Sequence, residues 1–287
     1  MRPDVTGFFD EETFTVSYVV SDPASRACAI IDSVLDFDPA SGRTRRRSAD
    51  RIVAHVEAQN LAVAWILETH VHADHLSAGD YLKQKFKAPL GIGERVDTVQ
   101  RGFAKIFNAG PDFAPDGRQF NHLFKDGESF RIGGIDAKVL HTPGHTPACI
   151  TYLIGDAAFV GDTLFMPDYG TARCDFPGGD PAQLYRSIRR IFTLPPETRM
   201  FLCHDYKAPG RDQYRWETTV GEQRAKNPHV HDGISEAEFV AMRTAKDKTL
   251  SMPRLILPAV QVNMRAGRLP EAEPNGIRYL KLPIDAF

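Results

Sequence analysis

Short apolar runs recur along the chain, and most end at a glycine, proline or aspartate. They lie at 17–20, 27–31, 63–67, 135–140, 149–154, 157–160, 200–203 and 254–257. Their β-branched and aromatic residues suit a pleated surface, so each run predicts a strand. Between them the apolar repeat becomes helical. Ile52, Val53 and Val56 carry it within 48–60; Val96, Val99, Phe103 and Ile106 carry it within 94–108. Asp180 followed by Pro181 reads as a helix cap and a first-turn proline, with Leu184, Ile188 and Ile191 as the stripe behind them. Ser235 and Glu238 have capping-box spacing. Early strands in close succession predict an antiparallel meander, and later ones alternate with helices. The pattern is α/β or α+β layering, with helices covering sheets. The stretches 36–48 and 108–121, rich in Pro, Gly and Asp, read as surface loops.

Composition narrows the class. The 287 residues are 42% hydrophobic and 25% charged, which excludes a disordered or fibrous chain. A net charge of −2 argues against a nucleic-acid or polybasic membrane-surface protein, so the basic run at Arg43, Arg45, Arg46 and Arg47 reads as a solvated loop. No apolar stretch approaches the roughly 18 residues of a membrane span. The acidic N-terminal stretch lacks the apolar centre of a leader peptide. Cys28, Cys149, Cys174 and Cys203 stand far apart without a CxxC, so they read as reduced thiols in a cytoplasmic protein. No Gly/Ser linker or repeat interrupts the chain, which predicts one domain over 1–287. The Cys174 and Cys203 thiols lie beside candidate site residues, and a redox role for either stays open.

The densest chemistry is His70-Val71-His72-Ala73-Asp74-His75, directly after the apolar run at 63–67. Three imidazoles and a carboxylate suit zinc, iron or manganese, and the lack of cysteine in the run argues against a structural thiolate zinc site. His145 stands in a tight turn between two expected strands. Asp162 and His204 end two others. Strand ends of layered sheets are where such folds place their sites. Four strand ends carrying ligand types are better explained together than singly.

These residues resemble the metallo-β-lactamase superfamily: H-x-H-x-D-H, a lone His, a Gly-Asp and a late His. The resemblance implies a four-layer αββα sandwich with a metal site at one edge of its two sheets. More narrowly, Thr69–Leu76, His141–Thr146, Gly161–Leu164, Arg173–Phe176, His204–Tyr206 and Asn263–Arg265 look like persulfide dioxygenases of the β-lactamase-like-hydrolase type. That family oxidises glutathione persulfide with O2 and water to sulfite and glutathione. The resemblance implies one Fe(II) per chain on His70, His145 and Asp162, with His72, Asp74, His75 and His204 lining the rest of the site or holding a second metal. It also implies a separate rhodanese-type sulfurtransferase. A homodimer is the base-rate expectation.

Glyoxalase II, a thioester hydrolase, uses the same seven positions for two metals, zinc among them, with Asp162 bridging. The ligand set therefore does not choose between oxidation and hydrolysis. The residues outside it do. Arg173-Cys174-Asp175-Phe176 follows the dioxygenase pattern, with Asp175 where the hydrolase has a tyrosine. Arg173 and Tyr206 are the candidate substrate contacts: Arg173 for a glutathione carboxylate, unless it pairs internally with Asp175, and Tyr206 by its match to a glutathione-contacting tyrosine.

Overall fold

The computed structural model describes residues 1–286. The first half contains β1 (Asp4–Asp10), β2 (Thr15–Ser21), β3 (Ala27–Ile31), β4 (Val34–Asp38), β5 (Arg43–Arg45), α1 (Arg47–Ala58), β6 (Ala62–Leu67), β7 (Leu76–Ser77), α2 (Gly79–Phe86), β8 (Leu90–Gly93), α3 (Val96–Ile106) and β9 (His122–Phe124). The second contains β10 (Ser129–Ile132), β11 (Ile135–His141), β12 (Ile150–Ile154), β13 (Ala157–Phe159), α4 (Pro181–Ile191), β14 (Arg199–Phe201), β15 (Glu217–Thr219), α5 (Val220–Lys226), α6 (Glu236–Asp247) and α7 (Ile256–Asn263).

Two six-stranded sheets form, in the orders β1-β2-β3-β6-β8-β9 and β10-β11-β12-β13-β14-β15. The strands β1, β2 and β3 make the expected antiparallel meander, and β6, β8 and β9 add to it in parallel. Side-chain alternation explains why the sheets stack. Val16, Tyr18 and Val20 of β2, with Ala29 and Ile31 of β3, face Val139, Tyr152, Phe159 and Phe201 of the other sheet. Val19, Cys28 and Ile30, one residue out of phase, face α1, α2, α3 and α7. On the far side Ala158 and Met200 meet Leu184, Ile188 and Ile191 of α4 and Phe239 of α6. The result is the four-layer αββα sandwich.

Helix α4 begins where its sequence says. Asp180 accepts from the backbone N–H groups of Ala182 (2.7 Å) and Gln183 (3.1 Å), and Pro181 takes the first position. Ser235 and Glu238 close the expected capping box on α6. Two expectations change. The run at 254–257 is not a strand: it leads into α7, where Ile256, Ala259, Val260 and Val262 are all buried. Pro258 falls in the first turn, where an N–H would lack an intrahelical acceptor anyway. The stretch 36–48 is not wholly a loop, because β4 and β5 pair there as a hairpin that β7 extends into a small sheet. Arg47, at the end of the basic run, pairs with Glu12 and Asp36. The stretch 108–121 is irregular as expected.

All the strand ends that matter lie at one edge. There β3 and β6 end side by side, β13 and β14 end side by side, and the turn from β11 to β12 lies beside them. The sheets are tied across this edge by Ile150 N–H to Thr69 O (3.0 Å) and Val16 N–H to Cys203 O (2.7 Å). Because the Asp180 carboxylate satisfies two otherwise free helix N–H groups, Asp180→Ala should lower stability by about 1 kcal/mol in urea unfolding.

Candidate metal centre

The loop after β6 folds back on itself and turns its polar side chains inward. His70, His72 and His75 are all buried. From the second sheet the β11–β12 turn brings His145, the end of β13 brings Asp162, and the end of β14 brings His204, all buried. The turn is shaped by α4. Gly144 has φ +143°, and a Cβ there would stand 2.3 Å from Leu184 Cα, so only glycine lets the helix press against the residue before His145. Ser187 donates to Pro143 O at 2.6 Å and holds the same turn.

Each imidazole has one nitrogen held by protein. His145 Nδ1 donates to Arg173 O (2.8 Å), and His204 Nδ1 donates to Phe14 O (3.2 Å). His72 Nε2 donates to Asp32 Oδ1 (3.0 Å), and His75 Nδ1 lies 3.2 Å from Asp74 Oδ2. Thr69 gives its hydroxyl proton to Asp32 Oδ2 (2.9 Å), so its oxygen accepts from His70 Nδ1 at 3.0 Å. These partners set each tautomer and leave the other ring nitrogen with a free lone pair.

The free nitrogens converge. Ligand atoms of His70, His145 and Asp162 lie within 4.8 Å of one another, as do those of His72, Asp74 and His75. His145 Nε2 is 3.6 Å from Asp162 Oδ2; His204 Nε2 is 3.2 Å from Asp162 Oδ1 and 3.4 Å from Asp74 Oδ2. His70 Nε2, His72 Nδ1, His75 Nε2, His204 Nε2 and Asp162 Oδ1 are buried without a hydrogen-bond partner. Each such atom costs about 1–3 kcal/mol if nothing meets it. Five of them facing inward, all metal-ligand types, fit a bound cation.

The electrostatics show positive charge drawn to the same place: burial acts to lower His72 and His204, but the facing carboxylates outweigh it and hold both above the ordinary imidazole value, so a bound cation would take the place of those protons. Burial, with His72 and His145 adding to it, holds His70 well below the ordinary imidazole value, so it presents a neutral ring. Burial acts to raise the Asp74 and Asp162 carboxyls, but His204 and its neighbouring imidazoles outweigh it and hold both below the usual carboxylate range. The thiols are the reverse: burial raises Cys174 and Cys203, which keeps them protonated.

A cavity of about 440 Å3 opens on the cluster, and Asp74, His145 and Asp162 line it. Phe14, Phe165, Tyr169 and Phe176 form apolar parts of its wall. Tyr206 lies over His204, with ring centroids 5.5 Å apart and an interplanar angle of 15°. Arg173 lines the cavity too, but its guanidinium is already engaged. It holds Asp175 through two contacts of 2.6 Å and donates to Ser251 O at 2.6 Å. The internal pair is therefore what forms.

The structure adds residues whose part sequence reasoning missed. Asp32 follows β3 as Asp162 follows β13, and it accepts from Thr69 N–H (2.7 Å), the Thr69 hydroxyl and His72. A polar residue ending a buried strand was the available signal. Glu68 lies 3.4 Å from His72 Nε2 and accepts from Ser77 Oγ at 2.5 Å. Asn263, from the end of α7, donates to the carbonyls of His72 (2.8 Å) and His75 (2.7 Å) and accepts from Ser77 N–H (2.7 Å). It clamps the histidine loop.

A four-layer αββα sandwich with clustered His and Asp at the edge of its sheets defines a class of metal-dependent enzymes. The chain belongs to the metallo-β-lactamase superfamily, whose family model matches residues 11–204. It is 57% identical, over 99% of both chains, to a Burkholderia pseudomallei protein named probable metallo-hydrolase. It is 46% identical to Glyoxylase B2 of Dictyostelium discoideum, over 97% of this chain and 96% of that one. It is 29% identical to human mitochondrial persulfide dioxygenase ETHE1, over 90% of this chain and 87% of that one. Among solved structures, ETHE1 from Myxococcus xanthus superposes with a TM-score of 0.73 at 32% identity, covering 92% of this chain and all (100%) of that one. Some relatives are longer, and the chain spans 65% of their length. No helix among the described residues is long and apolar enough to cross a membrane.

Asp32 orients two histidines at once, so Asp32→Ala should weaken metal binding by about 10–100-fold, measured by competition against a chelator.

Proposed function

We propose that this enzyme is an Fe(II)-dependent persulfide dioxygenase, holding one iron on His70, His145 and Asp162 and oxidising glutathione persulfide with O2 and water to sulfite and glutathione. His70, His145 and Asp162 would hold the iron, and Fe(II) would supply the redox chemistry with O2 that these side chains lack. The observation that carries this reading is the cavity wall at 173–176. Where a glutathione thioester hydrolase is expected to present a tyrosine, Asp175 is taken up by Arg173, and Phe176 packs on His145 with centroids 5.3 Å apart. The similarity to the ETHE1 proteins supports the same reading.

The surrounding residues suit that chemistry. Arg173 O accepts from His145 Nδ1 at 2.8 Å, which ties this wall to one of the ligand residues. Phe14, Phe165, Phe176 and Tyr206 limit water near the reacting sulfur. Lys246 and Arg254 line the cavity without a carboxylate partner among the described residues, and glutathione brings carboxylates. Asp74 accepts from Thr15 Oγ1 (3.2 Å) and faces the cavity as an ionised group. A rhodanese-type sulfurtransferase is the class of enzyme that would supply the persulfide.

One observation favours a second reading. His75 Nε2 and His204 Nε2 are unpartnered beside Asp74 and Asp162, a place for a second metal, and two metals would suit thioester hydrolysis of the glyoxalase II type.

Oxygen uptake with glutathione persulfide distinguishes the two. Iron-loaded enzyme should consume O2, and His145→Ala or Asp162→Ala should fall to the level of metal-free protein. Two metals per chain with S-lactoylglutathione turnover and no O2 uptake would overturn the dioxygenase reading.

A further inference from the structure

Two tyrosines of the cavity wall each follow an aspartate: Asp168-Tyr169 on the turn beyond Asp162, and Asp205-Tyr206 directly after His204. One guanidinium holds both aspartates. Arg211 Nη1 and Nη2 donate to Asp205 Oδ2 and Oδ1 at 2.5 and 2.6 Å. Its Nε and Nη2 donate to Asp168 Oδ2 and Oδ1 at 2.7 and 3.2 Å, and Nη1 also reaches Gln213 O at 2.7 Å. Two forked pairs on one side chain need the planar, five-donor geometry of arginine, which lysine lacks.

The two anchors are unlike. Asp205 is buried and also accepts from the backbone N–H groups of Lys207 (3.2 Å) and Arg215 (2.7 Å), so it ties together both ends of the irregular stretch 206–215. The Asp168 side chain is 43% exposed. It stands on a turn closed by Phe165 N–H to Gly170 O (2.9 Å) and Tyr169 N–H to Met166 O (2.8 Å). A lone exposed ion pair contributes little, because both side chains must be ordered to make it. Here the arginine is already ordered: its side chain is only 11% exposed, and Asp205 fixes it. The ring contacts join the same two loops one residue further on. Tyr169 and Tyr206 have centroids 5.4 Å apart, and Phe165 meets them at 5.9 and 5.7 Å.

We propose that Arg211 is a positioning residue for this aromatic wall: by joining Asp168 to Asp205 it holds Tyr169 against Tyr206, and the spacing of the two rings sets which ligands the cavity admits beside His204. Arg211 acts through the tyrosines and touches no ligand itself. Naming glutathione as the ligand rests on the proposed function; the bridge between the loops does not.

The tests use the full chain. Removing Arg211 would leave Asp205 buried with its charge unpaired, so Asp168→Ala, at the exposed end, is the variant of choice. Hydrogen–deuterium exchange followed by mass spectrometry should become severalfold faster over 165–170 in D168A and stay near wild type over 205–215, where Asp205 keeps Arg211. Calorimetry with S-methylglutathione should show severalfold weaker binding in D168A and in Y169A. The double variant should bind no more weakly than Y169A, because the bridge acts through that ring. Unchanged exchange over 165–170 in D168A, or losses from D168A and Y169A that add in full, would overturn the inference. Failure of wild type to bind S-methylglutathione would overturn its claim on ligand choice, whatever the exchange shows; the dioxygenase reading is judged separately by oxygen uptake.

Discussion

The start of the histidine loop is set by one buried carboxylate. Asp32 accepts from a backbone N–H, a hydroxyl and an imidazole at once, so its charge is dispersed over three donors where water is excluded. Through Thr69 it fixes which nitrogen His70 presents, and directly it fixes His72. Five imidazoles packed together can each point either nitrogen inward. Only a set of second partners, one per ring, leaves all the free lone pairs facing one another. The fold supplies those partners from the end of β3 (Asp32), the loop after β6 (Thr69 and Asp74), the β1–β2 turn (Phe14) and the segment before α4 (Arg173).

The layers were legible in the chain because strands buried on both faces still alternate in direction. Tyr18 and Val19 are both apolar and both buried, yet they enter different cores. What the pattern hid has physical reasons. Strand β5, Arg-Thr-Arg, is fully exposed and has no apolar face to betray it. The run leading into α7 is three successive apolar residues after Arg254, too short to show a period, and only its continuation to Val262 distinguishes helix from strand. The histidine run, His145, Asp162 and His204 were readable because ligand types at successive strand ends are improbable by accident. Asp32 was not, since a single aspartate after a strand also suits a turn. Arg173 was read two ways, and the fold takes the internal one: its partner two residues away is always present, whereas a ligand is not.

The cavity carries both signs of charge on its wall. Asp74 and Asp162 line it together with Lys246, Arg254 and several aromatic rings. These local charges stand on a chain whose net charge is only −2. The superfamily fold is the frame that carries them.

The Asn263 clamp also bears on how the protein is made. Its amide reaches carbonyls 191 and 188 residues earlier in the chain. Contacts so distant in sequence close the largest loops and form late in folding. The histidine loop therefore takes its final shape only when α7 packs beside β7.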